Sequence, residues 1–102
     1  MDRVTTLTET VRKVVSSYAT HGYNGDGEPS KLYYVENSQE QVFSVIGPYD
    51  PAFKQAHLIL MARVLNDQVI IDQDKTSISL RDELKRAGIP ENQITLAWHP
   101  AS

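Results

Sequence analysis

Two acids one residue apart, Asp72 and Asp74 in the run Val69-Ile70-Ile71-Asp72-Gln73-Asp74, are the first place to look for chemistry in this chain. Carboxylates grouped after a strand end can hold magnesium against a substrate phosphate. The plainer account is that Asp74 lies shortly before a helix, where solvent or the helix dipole stabilises a negative charge equally well. The histidines are His21, His57 and His99. A zinc site needs ligands that converge, as two histidines four apart on a helix do. These three fall in different elements and read as a loop, a strand and a terminal histidine; His99 stands out because it follows Trp98 at the end of a strand. Glu83-Leu84-Lys85 repeats the Glu-x-Lys half of a nuclease motif, which belongs on a strand beside a metal-binding aspartate. Here it falls in mid-helix, so a solvated helix face with Asp82 and Arg86 as an i, i+4 ion pair explains it better.

Other chemistries leave no trace. There is no Gly-x-Ser-x-Gly nucleophile turn, no phosphate-binding Gly-x-x-x-x-Gly-Lys loop and no dinucleotide-binding glycine pattern. Gly22-Tyr23-Asn24-Gly25-Asp26-Gly27 is glycine-rich, but it follows a helix, and Asp26 and Glu28 would repel a phosphate. Tyr33, Tyr34 and Phe43 could form a base-stacking platform on a sheet. Stacking sites usually sit in a positive groove, and only Lys31 is near, so packing is the better explanation.

The elements that must position these residues follow from periodicity. Val4, Leu7, Val11, Val14, Val15 and Tyr18 make one apolar stripe of a helix over 2–20. Asp2 can cap it, or Thr6 with Glu9 as a capping box. Residues 21–30, with three glycines and a proline, read as a loop. Residues 31–36 and 41–46 form a hairpin across Asn37-Ser38-Gln39-Glu40, and Pro48 and Pro51 exclude a central strand after it. The apolar run 55–64 predicts a central strand, Asn66-Asp67 a turn and Gln68–Asp72 a fourth strand. A helix over 52–65 competes with that third strand, since Ala, Leu and Met favour helix; the tight turn and the following Val-Ile-Ile weigh against it. Thr76 or Ser77 can cap a second helix that runs to about Ala87, carries Ile78, Leu80 and Leu84, and ends at Gly88 and Pro90. Ile94–Trp98 is a last strand. The expected fold is α+β, a single domain over 1–102 ordered αββββαβ, with a mainly antiparallel sheet and its helices packed on one face.

Composition narrows the function. A chain of 102 residues, 40% apolar, fits one domain with one modest core. Formal net charge is −3, and Arg81, Lys85 and Arg86 are interleaved with Asp82 and Glu83, so direct nucleic acid binding is not expected. The absence of cysteine removes disulfides and thiolate chemistry and suits a cytoplasmic setting. No apolar run is long enough for a membrane span, and Met1-Asp2-Arg3 does not open a signal peptide. No metal or other cofactor and no catalytic residue is expected.

The stretch Leu84 to Pro100 is specific enough to resemble a family. Leu84, then Ala87-Gly88-Ile89-Pro90, then Ile94, Leu96, Trp98, His99 and Pro100 resemble the ending of the XisI family, the fdxN-element excision controlling factors of cyanobacteria. Members end in a helix, Ala-Gly-Ile/Val-Pro and Ile-Val-Leu-Gly-Phe-His-Pro. Met1-Asp2 and the stripe ending at Tyr18-Ala19 fit the family's beginning, and Asn66-Asp67 stands in place of its Asp-Gly turn. Met61 stands where members usually carry a histidine, Gln68-Val69-Ile70-Ile71 replaces a Lys-Ile-Trp-Ile-like strand, and the aromatic tail that often follows His-Pro is not seen before Ser102. The resemblance implies a small α+β protein required, with a recombinase and a nuclease-like companion called XisH, for programmed excision of a DNA element. It implies no catalytic residues. It places Trp98, His99 and Pro100 near a functional surface, and the carboxylates Asp72 and Asp74, read from the residues themselves, are further candidates. The expected partner is the XisH-like protein; the exposed edge of the hairpin offers a place for it or for a second copy of the chain. The alternatives are a DNA-binding directionality factor, whose binding would weaken steeply with salt, and a small metal-dependent hydrolase using Asp72, Asp74 and His99.

Overall fold

The computed structural model describes residues 3–21 and 32–98. Asp2, most of the expected glycine-rich loop, His99 and Pro100 lie outside the described residues. The elements in chain order are α1 (Arg3–His21), β1 (Tyr33–Asn37), β2 (Val42–Asp50), β3 (Gln55–Leu65), β4 (Gln68–Asp74), α2 (Leu80–Arg86), a short 3-10 turn (Glu91–Gln93) and β5 (Ile94–Leu96). The third segment is a strand, and it is the middle one of a sheet ordered β1-β2-β3-β4-β5. Pairing is antiparallel except between β4 and β5, which α2 joins as a parallel crossover. This is a small α+β domain, as the patterning predicts.

Register explains the core. Successive strand side chains alternate between faces, so residues opposite one another form rows. One set of rows reads Tyr34-Val45-Leu60-Asp74, Glu36-Phe43-Ala62-Ile71-Leu96 and Val64-Val69-Ile94. Its members Phe43, Val45, Leu60, Ala62, Val64, Val69 and Ile71 are buried, together with Leu7, Val11, Val15 and Tyr18 of α1 and Leu80 and Leu84 of α2. Both helices therefore cover this face. The Tyr18 hydroxyl donates to the Ile78 carbonyl at 2.9 Å and ties α1 to the start of the second helical segment. The alternate rows, Tyr33-Ile46-Leu58, Val35-Ser44-Met61-Gln73 and Asn37-Val42-Arg63-Ile70-Thr95, lie on the opposite face.

Four local expectations need correction. First, α1 begins at Arg3, so Thr6 lies inside the helix and does not cap it. Second, β2 runs through Gly47 and Pro48 to Asp50 despite the proline. Pairing with β1 ends at Ile46, so Pro48 needs no partner for a missing N–H on that side, and the β2–β3 register shifts between Gly47 and Asp50. Third, α2 starts later. Ser79 is its N-cap, accepting from the Asp82 N–H at 3.3 Å. Thr76 instead folds back on Asp74, which accepts from the Thr76 N–H at 3.0 Å and its hydroxyl at 2.5 Å, an Asx turn that takes up the preceding residues. Fourth, Arg86 pairs with Glu83 at 2.9 Å and not with Asp82, while Arg81 and Lys85 reach Glu91.

The end of α2 follows the sequence closely. Gly88 has φ +107°, a conformation open to glycine and strained for other residues. The Ile89 N–H donates to the Leu84 carbonyl at 3.1 Å and the Gly88 N–H to the Lys85 carbonyl at 3.0 Å. This is a Schellman stop, with Ile89 and Leu84 buried together as its apolar contact. Asn66 and Asp67, at φ +51° and +66°, make the two-residue turn between β3 and β4.

Candidate functional site

The parallel pair brings the sequence candidates to one end of the sheet. Ile71 lies opposite Leu96, and the Ala97 N–H donates to the Ile71 carbonyl at 2.9 Å. Ala97 and Trp98 therefore follow β5 beside the point where Asp72 follows Ile71. The strand stops at Leu96, and Trp98 stands in the turn beyond it, 51% exposed. Of the expected surface residues, Trp98, Asp72 and Asp74 are thus gathered at the ends of β4 and β5, while His99 and Pro100 lie outside the described residues.

The two acids are not a pair. The β3–β4 register passes from Met61–Gln73 to Ala62–Ile71, which leaves Asp72 as the extra residue of a bulge. Its carboxylate takes Arg63 in a two-pronged pair at 2.6 and 3.0 Å, and that contact raises the Arg63 pKa. Asp74 falls in the buried-face row opposite Leu60 and accepts from the Leu80 N–H at 2.8 Å as well as from Thr76. One acid fastens neighbouring strands and the other organises the loop into α2. Among the described residues, no three histidines or acids converge as a metal site.

The same end carries a feature that residue patterning missed. β1 reaches β2 only to Ile46, and β4 reaches β3 only as far as Ile59, where the Lys75 N–H meets the carbonyl at 2.9 Å. Beyond these points β2 and β3 continue as a two-stranded arm, with pairing from Gly47–His57 to Asp50–Gln55. Its turn closes on Asp50, whose carbonyl accepts from Phe53 and Lys54, Lys54 taking φ +56°. Tyr49 and Phe53 on this arm are 63% and 67% exposed. His57 sits here edge-on to Phe53, ring centres 5.9 Å apart, and over Gly47, where a β-carbon would lie 3.1 Å from Nε2. It packs the arm. Two prolines in five residues read as the end of a strand, and the signal available was the aromatic–proline alternation Pro48-Tyr49-Asp50-Pro51-Ala52-Phe53.

The aromatic platform does not form. Phe43 is fully buried and Tyr34 lies on the helix-covered face, while Tyr33 points to the other. Tyr34 instead joins a polar cluster between β1 and α1. Arg12 Nε and Nη2 donate to Glu36 at 2.9 and 3.0 Å, Nη1 donates to Glu9 at 2.6 Å, and the Tyr34 hydroxyl donates to Glu36 at 2.6 Å. The hydrogen bond from Arg12, then that from Tyr34, holds the Glu36 carboxyl below its ordinary value. Partial burial and then the Glu36 contact push the Tyr34 hydroxyl up.

At the opposite end of the sheet, the family-like Ala87-Gly88-Ile89-Pro90 turn forms one wall of an open groove of about 620 Å³. Thr6 and Thr10 of α1, Asp67 of the β3–β4 turn and Gln93 complete it. A β-carbon on Gly88 would meet nothing within 4 Å, so backbone conformation and not space demands glycine there.

Two solved structures share this fold. The fdxN element excision controlling factor XisI from Anabaena variabilis ATCC 29413 is 23% identical, with a TM-score of 0.76 over 96% of this chain and 94% of that one. A XisI-like protein from the same organism is 13% identical, with a TM-score of 0.79 over 94% of this chain and 87% of that one. The comparison with curated proteins gives no match. The model of the XisI protein family matches residues 1–102, the whole stretch containing the helix stop, the parallel β5 and the exposed Trp98, and the chain belongs to the XisI family.

Proposed function

We propose that this chain is a non-enzymatic accessory protein of programmed DNA-element excision that works in the cytoplasm by binding a protein partner, an XisH-like nuclease-like companion. The observation that carries this reading is the exposure of Tyr49, Phe53 and Trp98 at one end of the sheet. Exposed aromatic side chains are the kind that anchor protein interfaces. The acids that might have done chemistry there, Asp72 and Asp74, are engaged in structural contacts. A net charge of −3 suits a basic nuclease surface better than DNA. In this reading Trp98 is the anchor, His99 and Pro100 take part in the same contact, and Asp72 and Asp74 hold the strand ends that present Trp98.

The test is co-purification with the product of a neighbouring XisH-like gene and mass determination at moderate salt. A stoichiometric complex, weakened roughly tenfold or more by Trp98→Ala, supports the proposal. Failure to form a complex, with retention of duplex DNA in the same buffer, replaces it with a DNA-binding directionality factor. Metal-dependent hydrolysis abolished by Asp72→Ala would replace it with an enzyme.

A further inference from the structure

β5 stops just before its own alternation would bury Trp98. Ile94 stands opposite Val69 and Leu96 opposite Ile71, and both of these β4 partners are buried on the helix-covered face. Side chains two apart on a strand share a face, so a β5 continued to residue 98 would carry Trp98 to the helix-covered side as well. Burial is the usual fate of so large an apolar ring. Yet the strand ends at Leu96, and Trp98 stays half exposed in the turn beyond it.

The cause lies on β4. Pairing with β5 is regular up to Ile71, whose carbonyl accepts from the Ala97 N–H at 2.9 Å, and the next residue of β4 is the bulged Asp72. A bulge disrupts the ladder, and bulges commonly end pairing or re-aim a side chain. Gln73 and not Asp72 takes the place opposite Met61, and Gln73 Nε2 donates to the Leu58 carbonyl. Asp72 is gripped through both oxygens by Arg63 of β3, at 2.6 and 3.0 Å. A two-pronged guanidinium–carboxylate pair fixes direction as well as distance. Arg63 itself stands opposite Ile70, with β4 lying between it and β5. We infer that Arg63 is a positioning residue for Trp98: by holding Asp72 in the bulge, it ends β5 at Leu96 and keeps the indole off the helix-covered face. The consequence for partner binding rests on the reading of Trp98 as the anchor, and the consequence for Trp98 exposure does not.

Trp98 is the chain's single tryptophan, so its fluorescence reads its surroundings directly on the isolated chain. Arg63→Met keeps an unbranched stem and removes the fork. It should shift Trp98 emission to shorter wavelength and lower its quenching by acrylamide, with far-UV circular dichroism retained. Asp72→Asn should do the same, and the double variant should shift no further, because either change removes one shared pair. Arg12→Met breaks the similarly exposed pair with Glu36 on the helix-covered side and should leave Trp98 emission in place. Emission that stays at the wild-type wavelength in Arg63→Met, or moves to longer wavelength, overturns the inference, as do additive shifts in the double variant. With the XisH-like companion, Arg63→Met should weaken the complex roughly tenfold, as Trp98→Ala does. Absence of a complex with the wild-type chain ends the partner reading and leaves the fluorescence result standing.

Discussion

The two ends of the sheet are built on opposite plans. At the end carrying Asn37–Gln41 and Asn66-Asp67, turns are tight and tied to their surroundings. Asn37 Oδ1 accepts from the Glu40 N–H at 3.0 Å, the Thr8 hydroxyl donates to Gln41 Oε1 at 2.7 Å, and Gln93 Nε2 donates to the Asp67 carbonyl at 3.0 Å. At the other end the strands stop at different levels, β2 and β3 run on as an arm, and Tyr49, Phe53 and Trp98 stand in solvent. A two-stranded ribbon has little independent stability, so the arm must draw its order from the sheet at its base. One sheet thus separates the end that ties the fold together from the end that exposes aromatic side chains.

The sharpest test sets two phenylalanines against each other. Phe43→Ala removes a fully buried ring, with Arg12 stacked 5.9 Å over it, and should cost about 3–5 kcal/mol in urea unfolding. Phe53→Ala, at the arm tip, should stay within about 0.5 kcal/mol of wild type. Equal costs at both positions would erase the distinction between the ends. Asp74→Ala removes the acceptor for the Thr76 and Leu80 N–H groups, the principal tie at the arm end, and should cost about 1–2 kcal/mol. A more stable Asp74→Ala chain would mean that this acid is kept for chemistry and not for structure. Gly88→Ala should cost about 1 kcal/mol through φ +107° alone, since nothing crowds the site; thermal unfolding checks it.

The smallest effect is a pH dependence. Contact with Arg12, and then with Tyr34, keeps the Glu36 carboxyl below its ordinary 4.5 in the folded chain. Its contribution is therefore complete above 4.5 and is lost as pH falls through the lower folded-state value. The stability difference between wild type and Glu36→Gln should be constant near neutrality and shrink in acid. Because the pair is partly solvated, the difference should stay below about 1 kcal/mol. A difference that grows in acid would show that Glu36 is held neutral.

Much of this architecture can be read without coordinates because its signals are local. The Val4-to-Tyr18 spacing states a helix and which side of it is buried; Leu7, Val11, Val15 and Tyr18 indeed reach the core. Aromatic and β-branched residues in 41–46 and the Val-Ile-Ile run after the Asn66-Asp67 turn state strands, and Gly88 followed by Pro90 states where α2 stops. Misreadings arose where a local rule met a distant neighbour. Pro48 is tolerated in a strand because β1 ends before reaching it, and Thr76 loses the cap because Asp74 takes it first.

The sequence by itself determined the order of elements, the buried side of α1, the helix stop and the family. Tertiary structure alone decided that β5 lies parallel to β4, that a bulge at Asp72 sends neighbouring acids to different partners, and that Trp98 emerges beside them. The reason is physical. Periodicity and turn chemistry act over a few residues and are written where they act, whereas register, bulges and exposed ends depend on where one strand stops relative to another far along the chain.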